Sequence, residues 1–225
     1  MARGIIFDFD GTLYGDWRVW VSIIEDTLSD FKITISPIDA LQKARRIIEL
    51  DENVNGTLRI SGVAAALARE RGLDQEEKVR ARFFERLDEK MDESGPGDKL
   101  VRLLGDFSNR RFRMGIVTFV RKPRITRRLD TWNLRHYFRS VVTPDDVPEF
   151  KPSPLPFESA MRDLEVEPGD CFVVGDEPVD MIGGRKAGAK TVGLPQGFFT
   201  REELQNAGAD HILGSLDLLP SILTK

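Results

Sequence analysis

The sequence predicts an α/β fold, a doubly wound parallel sheet with an inserted α-helical domain. Three observations carry that expectation. Short β-rich runs alternate with helical patterns, as βαβ units require. Between about residues 16 and 95 the β-rich runs vanish and only helical spacing remains. With 225 residues, of which 40% are hydrophobic and 31% charged, the chain can bury one large core and carry a smaller second domain. The expected division is 1–15 and 96–225 for the α/β core and 16–95 for the helical insertion.

The strand candidates, in order, are RGIIFDF at 3–9, RMGIVT at 113–118, RSVV at 139–142, CFVVGD at 171–176 and KTVGL at 190–194. In the insertion, Trp17, Trp20, Val21, Ile24, Leu28 and Phe31 recur at helical spacing. The tryptophans there read as packing between helices rather than as a ligand pocket. Ser36 followed by Pro37 supplies a cap and a first position for a helix running to Leu50. Val79, Phe83, Leu87 and Met91 mark another helix, and the GPGD stretch at 95–98 returns the chain to the core. Near the end, TREE at 200–203 fits a capping box, with Thr200 as cap and Glu203 reaching back. AGADHI then reads as a helix end feeding one last short strand.

Composition excludes several classes. The formal charge of −4 arises from residues 16–95, which hold 17 acids and 13 bases, whereas the remainder balances 20 against 20. Neither part is basic, so nucleic acid and anionic membrane are not expected partners. The N-terminal apolar run is too short for a leader, and no window approaches the roughly 20 apolar residues of a membrane span. A cytoplasmic location is expected. The single cysteine, Cys171, can form no internal disulfide and reads as a small buried hydrophobe. No fixed-period repeat and no low-complexity linker are present.

The chemistry begins with Asp8 and Asp10 in IIFDFDGTLYG, after which the chain turns at Gly11. Side chains two apart on a strand share a face, so both carboxylates are expected at the carboxyl end of the first strand, where open α/β sheets bind ligands. Two carboxylates crowded together repel unless a cation compensates them. A second acidic cluster follows the run CFVV: Asp176 and, four residues on, Asp180, within one helical turn if a helix has begun. Oxygen ligands from two adjacent strand ends suit Mg²⁺. Asp8 and Asp176 are expected to bind it directly, with Asp10 contributing its carbonyl.

DFDGTL at 8–13, Thr118 closing RMGIVT, Lys151 in KPSPLPF and GDEPVD at 175–180 resemble, in order and spacing, the four motifs of the haloacid dehalogenase superfamily. The insertion after the first motif resembles the first-type helical cap of its phosphoglycolate phosphatase-like members, on a Rossmann-like core. The resemblance covers nearly the whole chain. It implies a Mg²⁺-dependent hydrolase acting on a small phosphorylated metabolite, as a monomer or homodimer. Asp8 would attack phosphorus to form an aspartyl-phosphate; Asp10 would protonate the leaving oxygen and then activate water. Thr118 would hydrogen-bond the phosphoryl oxygens, with Gly11 and the backbone of Phe119 beside it. Lys151 would neutralise phosphoryl charge and restrain the nucleophile. Asp176 would complete the metal site and Asp180 would support it from the outer shell. One departure is Phe119, where many relatives carry Asn. The runner-up readings are a phosphomutase of the same fold, a 2-haloacid dehalogenase, disfavoured by Asp10, and a ligand-binding or assembly protein without catalysis.

Weaker signals remain. Residues 110–128 hold eight bases and no acid, readable as a field that draws an anionic substrate or as a solvated helix face. His136 and His211, the two histidines, fall in no motif and read as structural or exposed. GGRKAG at 183–188 lacks the ending of a phosphate-binding loop, and its glycines fit close helix packing. Specificity is expected on cap loops near NVNGTLRISG at 53–62, where Arg59 could meet an anionic group.

Overall fold

The computed structural model describes residues 3–50 and 56–223, without the side chains at 48–50 and 56–59. Arg59, expected near a specificity loop, thus lies outside the described side chains, as do residues 51–55 altogether. The described chain divides into two compact units, Met1–Tyr14 with Pro96–Lys225, and Gly15–Gly95.

The first unit is built on six parallel strands: β1 (Gly4–Phe7), β2 (Arg113–Val117), β3 (Phe138–Val142), β4 (Cys171–Gly175), β5 (Lys190–Gly193) and β6 (His211–Ile212). Their order across the sheet is β3-β2-β1-β4-β5-β6. That is the doubly wound order in which the connections reverse direction beside the first strand, leaving a crevice at the carboxyl ends of β1 and β4. The five β-rich runs of the sequence form β1 to β5, and the last short strand, β6, is the HI that ends AGADHI.

All four residues of β1 are buried because helices cover both faces. Successive side chains alternate. Ile6 packs into a cluster with Phe157, Met161 and Leu164 of α7 (Leu155–Leu164). Phe7 faces the other way, its ring centroid 6.3 Å from that of Phe107 on α5 (Asp98–Asn109) and 6.4 Å from that of Phe138. The core is completed by α6 (Lys122–Thr131), α8 (Pro178–Lys186) and α9 (Arg201–Asn206). The capping box of α9 is present: Thr200 Oγ1 accepts from Glu203 N at 3.3 Å, and Glu203 Oε2 accepts from Thr200 N at 2.6 Å. The GGRKAG glycines let α8 lie tight on the sheet. A Cβ on Gly183 would overlap the Phe157 ring, and one on Gly184 would stand 3.0 Å from Thr191 Cγ2.

Among its described residues the second unit has helices and connecting turns but no strand: α1 (Trp17–Asp30), α2 (Pro37–Leu50), α3 (Gly56–Glu70) and α4 (Glu76–Ser94). Ser36 caps α2, its hydroxyl accepting from Asp39 N at 3.1 Å. Trp20, Val21, Ile24 and Leu28 lie on the buried face of α1, whereas Trp17 and Phe31 of the same stripe are only half-buried; Val79, Phe83, Leu87 and Met91 form the buried face of α4. Outside the apolar contact, Asp30 at the end of α1 is clamped by α4, accepting from Arg82 Nε at 2.6 Å and from Arg86 Nε at 2.8 Å. Those bonds, Arg86 first and Arg82 after it, hold the Asp30 carboxyl below the usual range against the opposing effect of burial.

Among the described residues no helix is long and apolar enough to cross a membrane. Cys171 is fully buried, and burial pushes its thiol up to about 12, so it stays protonated and unreactive. His136 and His211 are exposed.

Candidate active site at the carboxyl edge of the sheet

Strand register sets three positions. Phe7 pairs with Val174 on one side and Ile116 on the other, so the residues that leave β1, β2 and β4 emerge side by side. The ladder runs one step further through Asp8 N, which donates to Val174 O at 2.9 Å, and Thr118 N, which donates to Val142 O at 3.1 Å. Asp8, Thr118 and Asp176 are thereby brought to one edge, each buried.

Asp8, Asp176 and Asp180 each offer a carboxylate oxygen, and these oxygens all lie within 4.8 Å of one another. Lys151, 5% exposed, reaches the group from the loop before α7. Its Nζ donates to Asp8 Oδ1 at 2.7 Å and lies 2.7 Å from Asp180 Oδ1. The second contact is an ion pair, so one buried ammonium bridges Asp8 and Asp180. Asp180 is the third residue of α8, and its Oδ2 accepts from Glu177 N at 3.3 Å, so the start of that helix is tied to the site.

The charges do not balance: three carboxylates face one ammonium. Burial, and then the Asp8, Glu177 and Asp180 carboxylates, push Asp176 well above the usual carboxylate range, although Thr12 works the other way. Asp180 is likewise raised, by burial first, with Lys151 opposing and Asp8 and Glu177 adding. Burial works against the charged form of Lys151, yet Asp180 and Asp8 outweigh it and hold the ammonium protonated. An all-oxygen cluster with more carboxylates than its one ammonium balances fits a hard divalent cation such as Mg²⁺.

Asp10 is placed differently from the expectation that it shares a strand face with Asp8. β1 ends at Phe7, and the chain then coils so that Leu13 N and Tyr14 N both donate to Phe9 O, at 2.9 Å. Strand alternation therefore stops before Asp10, which is half-buried and paired in a short bridge with Tyr14. Its carboxylate is not in the three-acid cluster; the carbonyl contribution concerns a different atom. Asp180, expected in the outer shell, has its carboxylate inside that cluster.

Gly11, expected beside the substrate, gives its amide to Tyr14 O at 2.7 Å. What it supplies is room: it sits at φ +82, and a Cβ there would overlap Asp176 Oδ2. Thr118 Oγ1 accepts from Val120 N at 3.2 Å, a local bond that shapes the turn after β2. Phe119 lies half-buried in that turn, its ring centroid 4.9 Å from that of Phe150 and 5.3 Å from Lys151 Nζ. The ring thus offers the ammonium a cation–π contact.

Two bases of the run are paired with acids. Arg121 pairs with Asp145, while Lys122 Nζ bonds Asp146 and Val141 O, the latter at 2.7 Å. Both acids come from the loop after β3, outside the window whose charges were counted, so the local field is weaker than the run implies.

Three residues at the site were not singled out from the sequence. Thr12 Oγ1 donates to Asp176 Oδ1 at 3.0 Å, and Gln196 and Gly197 approach from the loop after β5. The available signal was position: Gln196 and Gly197 follow a strand end at the same carboxyl edge.

The haloacid dehalogenase-like hydrolase family model matches residues 5–194. The pyrophosphatase PpaX of Anoxybacillus flavithermus is 36% identical over 112 residues, 50% of this chain and 52% of that protein. The match thus spans about half the length of that relative. Among solved structures, a Thermotoga maritima protein assigned as a β-phosphoglucomutase superposes with a TM-score of 0.77 at 20% identity, covering 98% of each chain. A Haemophilus somnus 129pt protein predicted to be a phosphoglycolate phosphatase gives 0.74 at 20% identity, covering 98% of this chain and 97% of its own. At these identities the two structures speak for the fold.

Proposed function

The chain belongs to the haloacid dehalogenase-like hydrolase family, and on that premise we propose that it is a Mg²⁺-dependent phosphatase of a small phosphomonoester. The observation that supports this most is the buried Asp8–Lys151 pair set among Asp176 and Asp180 at the crevice between β1 and β4.

In this reading Asp8 and Asp176 hold the cation through their carboxylates and Asp10 through its carbonyl, with Asp180 beside them. Bound there, Mg²⁺ supplies the positive charge that lets an anionic phosphate approach an anionic carboxylate. Asp8 attacks phosphorus; a P–O bond forms to its carboxylate and the bond to the leaving alkoxide breaks. Asp10 gives the alkoxide its proton. In the second half Asp10 takes a proton from water, the water oxygen attacks phosphorus, and Asp8 leaves as carboxylate with inorganic phosphate released. Lys151 fixes the direction of the Asp8 carboxylate through Oδ1 and offsets phosphoryl charge. Thr118 Oγ and the backbone at Phe119 bind phosphoryl oxygens. The helical unit, entering the chain directly after the Asp10 turn, serves as the cap that selects the leaving group and excludes water.

The test is phosphate release from a panel of phosphorylated metabolites, with and without Mg²⁺ and with Asp8→Asn as the blank. Pyrophosphate belongs in the panel because of the name of the PpaX relative. Mg²⁺-dependent release by the wild type alone supports the proposal; release that survives in Asp8→Asn overturns the mechanism.

A further inference from the structure

Asp176 is held by more than its charged neighbours. Its Oδ1 accepts from Thr12. On the side of Oδ2 two glycines come so close that a Cβ on either Gly11 or Gly197 would overlap that oxygen. Gly11 belongs to the turn after β1 and Gly197 to the loop after β5, segments joined by one side chain. Gln196 Nε2 donates to Gly11 O at 2.9 Å and to Thr12 O at 3.2 Å, so a single amide nitrogen spends both of its hydrogens on the turn that flanks Asp176.

We propose that Gln196 is a positioning residue for the metal site: it clamps the β5 loop to the 10–12 turn and so fixes the orientation of the Asp176 carboxylate. The inference rests on the reading that this cluster binds Mg²⁺. A small cation that demands a near-ideal octahedron binds poorly to a carboxylate that can rotate. With Thr12 on one oxygen and two glycines against the other, Asp176 has one orientation only while the two loops stay together. Gln196 is half-buried and lies outside the strand ladder, which closes without it through Leu194 N to Gly175 O at 2.9 Å and Leu213 N to Gly193 O at 3.0 Å. Removing its donors therefore loosens the turn and leaves the sheet intact.

The test uses the full chain. Gln196→Met keeps the length of the side chain and removes both donors; Gln196→Glu keeps the shape but sets carboxylate oxygens against two carbonyls. Mg²⁺ affinity is measured by isothermal titration, and amide hydrogen exchange across residues 9–14 is followed in the metal-free protein. Loss of an outer partner of a metal ligand typically weakens affinity by roughly 10–100-fold. That loss is expected in Gln196→Met, with faster exchange confined to 9–14, and at least as great a loss in Gln196→Glu. Gln196→Asn, which keeps the amide but is one methylene too short to reach Gly11 O, is the mildest change and decides the matter by the same two measurements if the other variants do not fold. Unchanged affinity in the folded variants overturns this inference alone. A wild type that takes up no Mg²⁺ overturns the metal reading and this inference together.

Discussion

Asp176→Asn should make the metal-free protein more stable while removing its response to Mg²⁺. The Asp176 carboxylate lies within 4.8 Å of those of Asp8 and Asp180, all three buried. At an effective dielectric constant of about 20, two like unit charges at that separation repel by about 3.5 kcal/mol. Two such repulsions act on Asp176, and the Lys151 ammonium, shared between Asp8 and Asp180, offsets about one of them. Partial protonation relieves part of the rest, which leaves a net strain on the order of 1–3 kcal/mol. The asparagine removes the charge while its Oδ1 still accepts from Thr12. For a chain of this size each kcal/mol moves the unfolding midpoint by roughly 2–4 °C, so the variant in EDTA should unfold roughly 2–12 °C above the wild type. Saturating Mg²⁺ should raise the wild type, by about 2.7 kcal/mol at 100 times its Kd, and scarcely raise the variant, so the order of midpoints narrows or reverses. Calorimetry of both proteins in EDTA and in Mg²⁺ reads this directly. A variant that melts below the wild type in EDTA, or that gains as much from Mg²⁺, would show that like-charge crowding is not what this cluster stores.

Lys151→Met should abolish phosphate release and, because it strands buried carboxylates without their counter-charge, destabilise the metal-free protein by about 3–5 kcal/mol; denaturant titration checks this. In the helical unit, Phe83→Ala empties a fully buried position and should cost about 3–5 kcal/mol by the same measurement. Asp30→Asn tests the clamp between α1 and α4 through pH. Because the folded-state value is depressed, the pairing stabilises fully above the ordinary carboxylate range and fades as pH falls through the folded value. The variant should therefore lose about 1 kcal/mol or less at pH 7, since the group is partly exposed, and show a flatter acid limb in midpoint against pH.

The parallel sheet was legible because fully buried strands leave unbroken apolar runs, such as CFVV before Asp176, and the helical insertion because Val79, Phe83, Leu87 and Met91 repeat at one period. The candidate acids were legible too, since they cluster where those runs stop. The position of Asp10 escaped for a local reason: β1 ends at Phe7, two residues before the run RGIIFDF does, and the pattern IIFDFD leaves that open. The rest of what escaped depends on chain segments far apart. The pairing of Arg121 and Lys122 depends on Asp145 and Asp146 in another loop. Gln196 has no charge and no periodicity; its contact with Gly11 is 185 residues away along the chain.

That separation has a consequence during synthesis. Lys151 meets Asp8 across 143 positions, and the Gln196 clamp forms only after the loop beyond β5 has left the ribosome. At typical elongation rates of about 5–20 residues per second, many seconds pass in which the nascent polypeptide displays Asp8 and Asp10 but lacks Lys151, Asp176, Asp180 and Gln196. Until those segments emerge and dock, Asp8 lacks its ammonium and the 10–12 turn lacks its clamp.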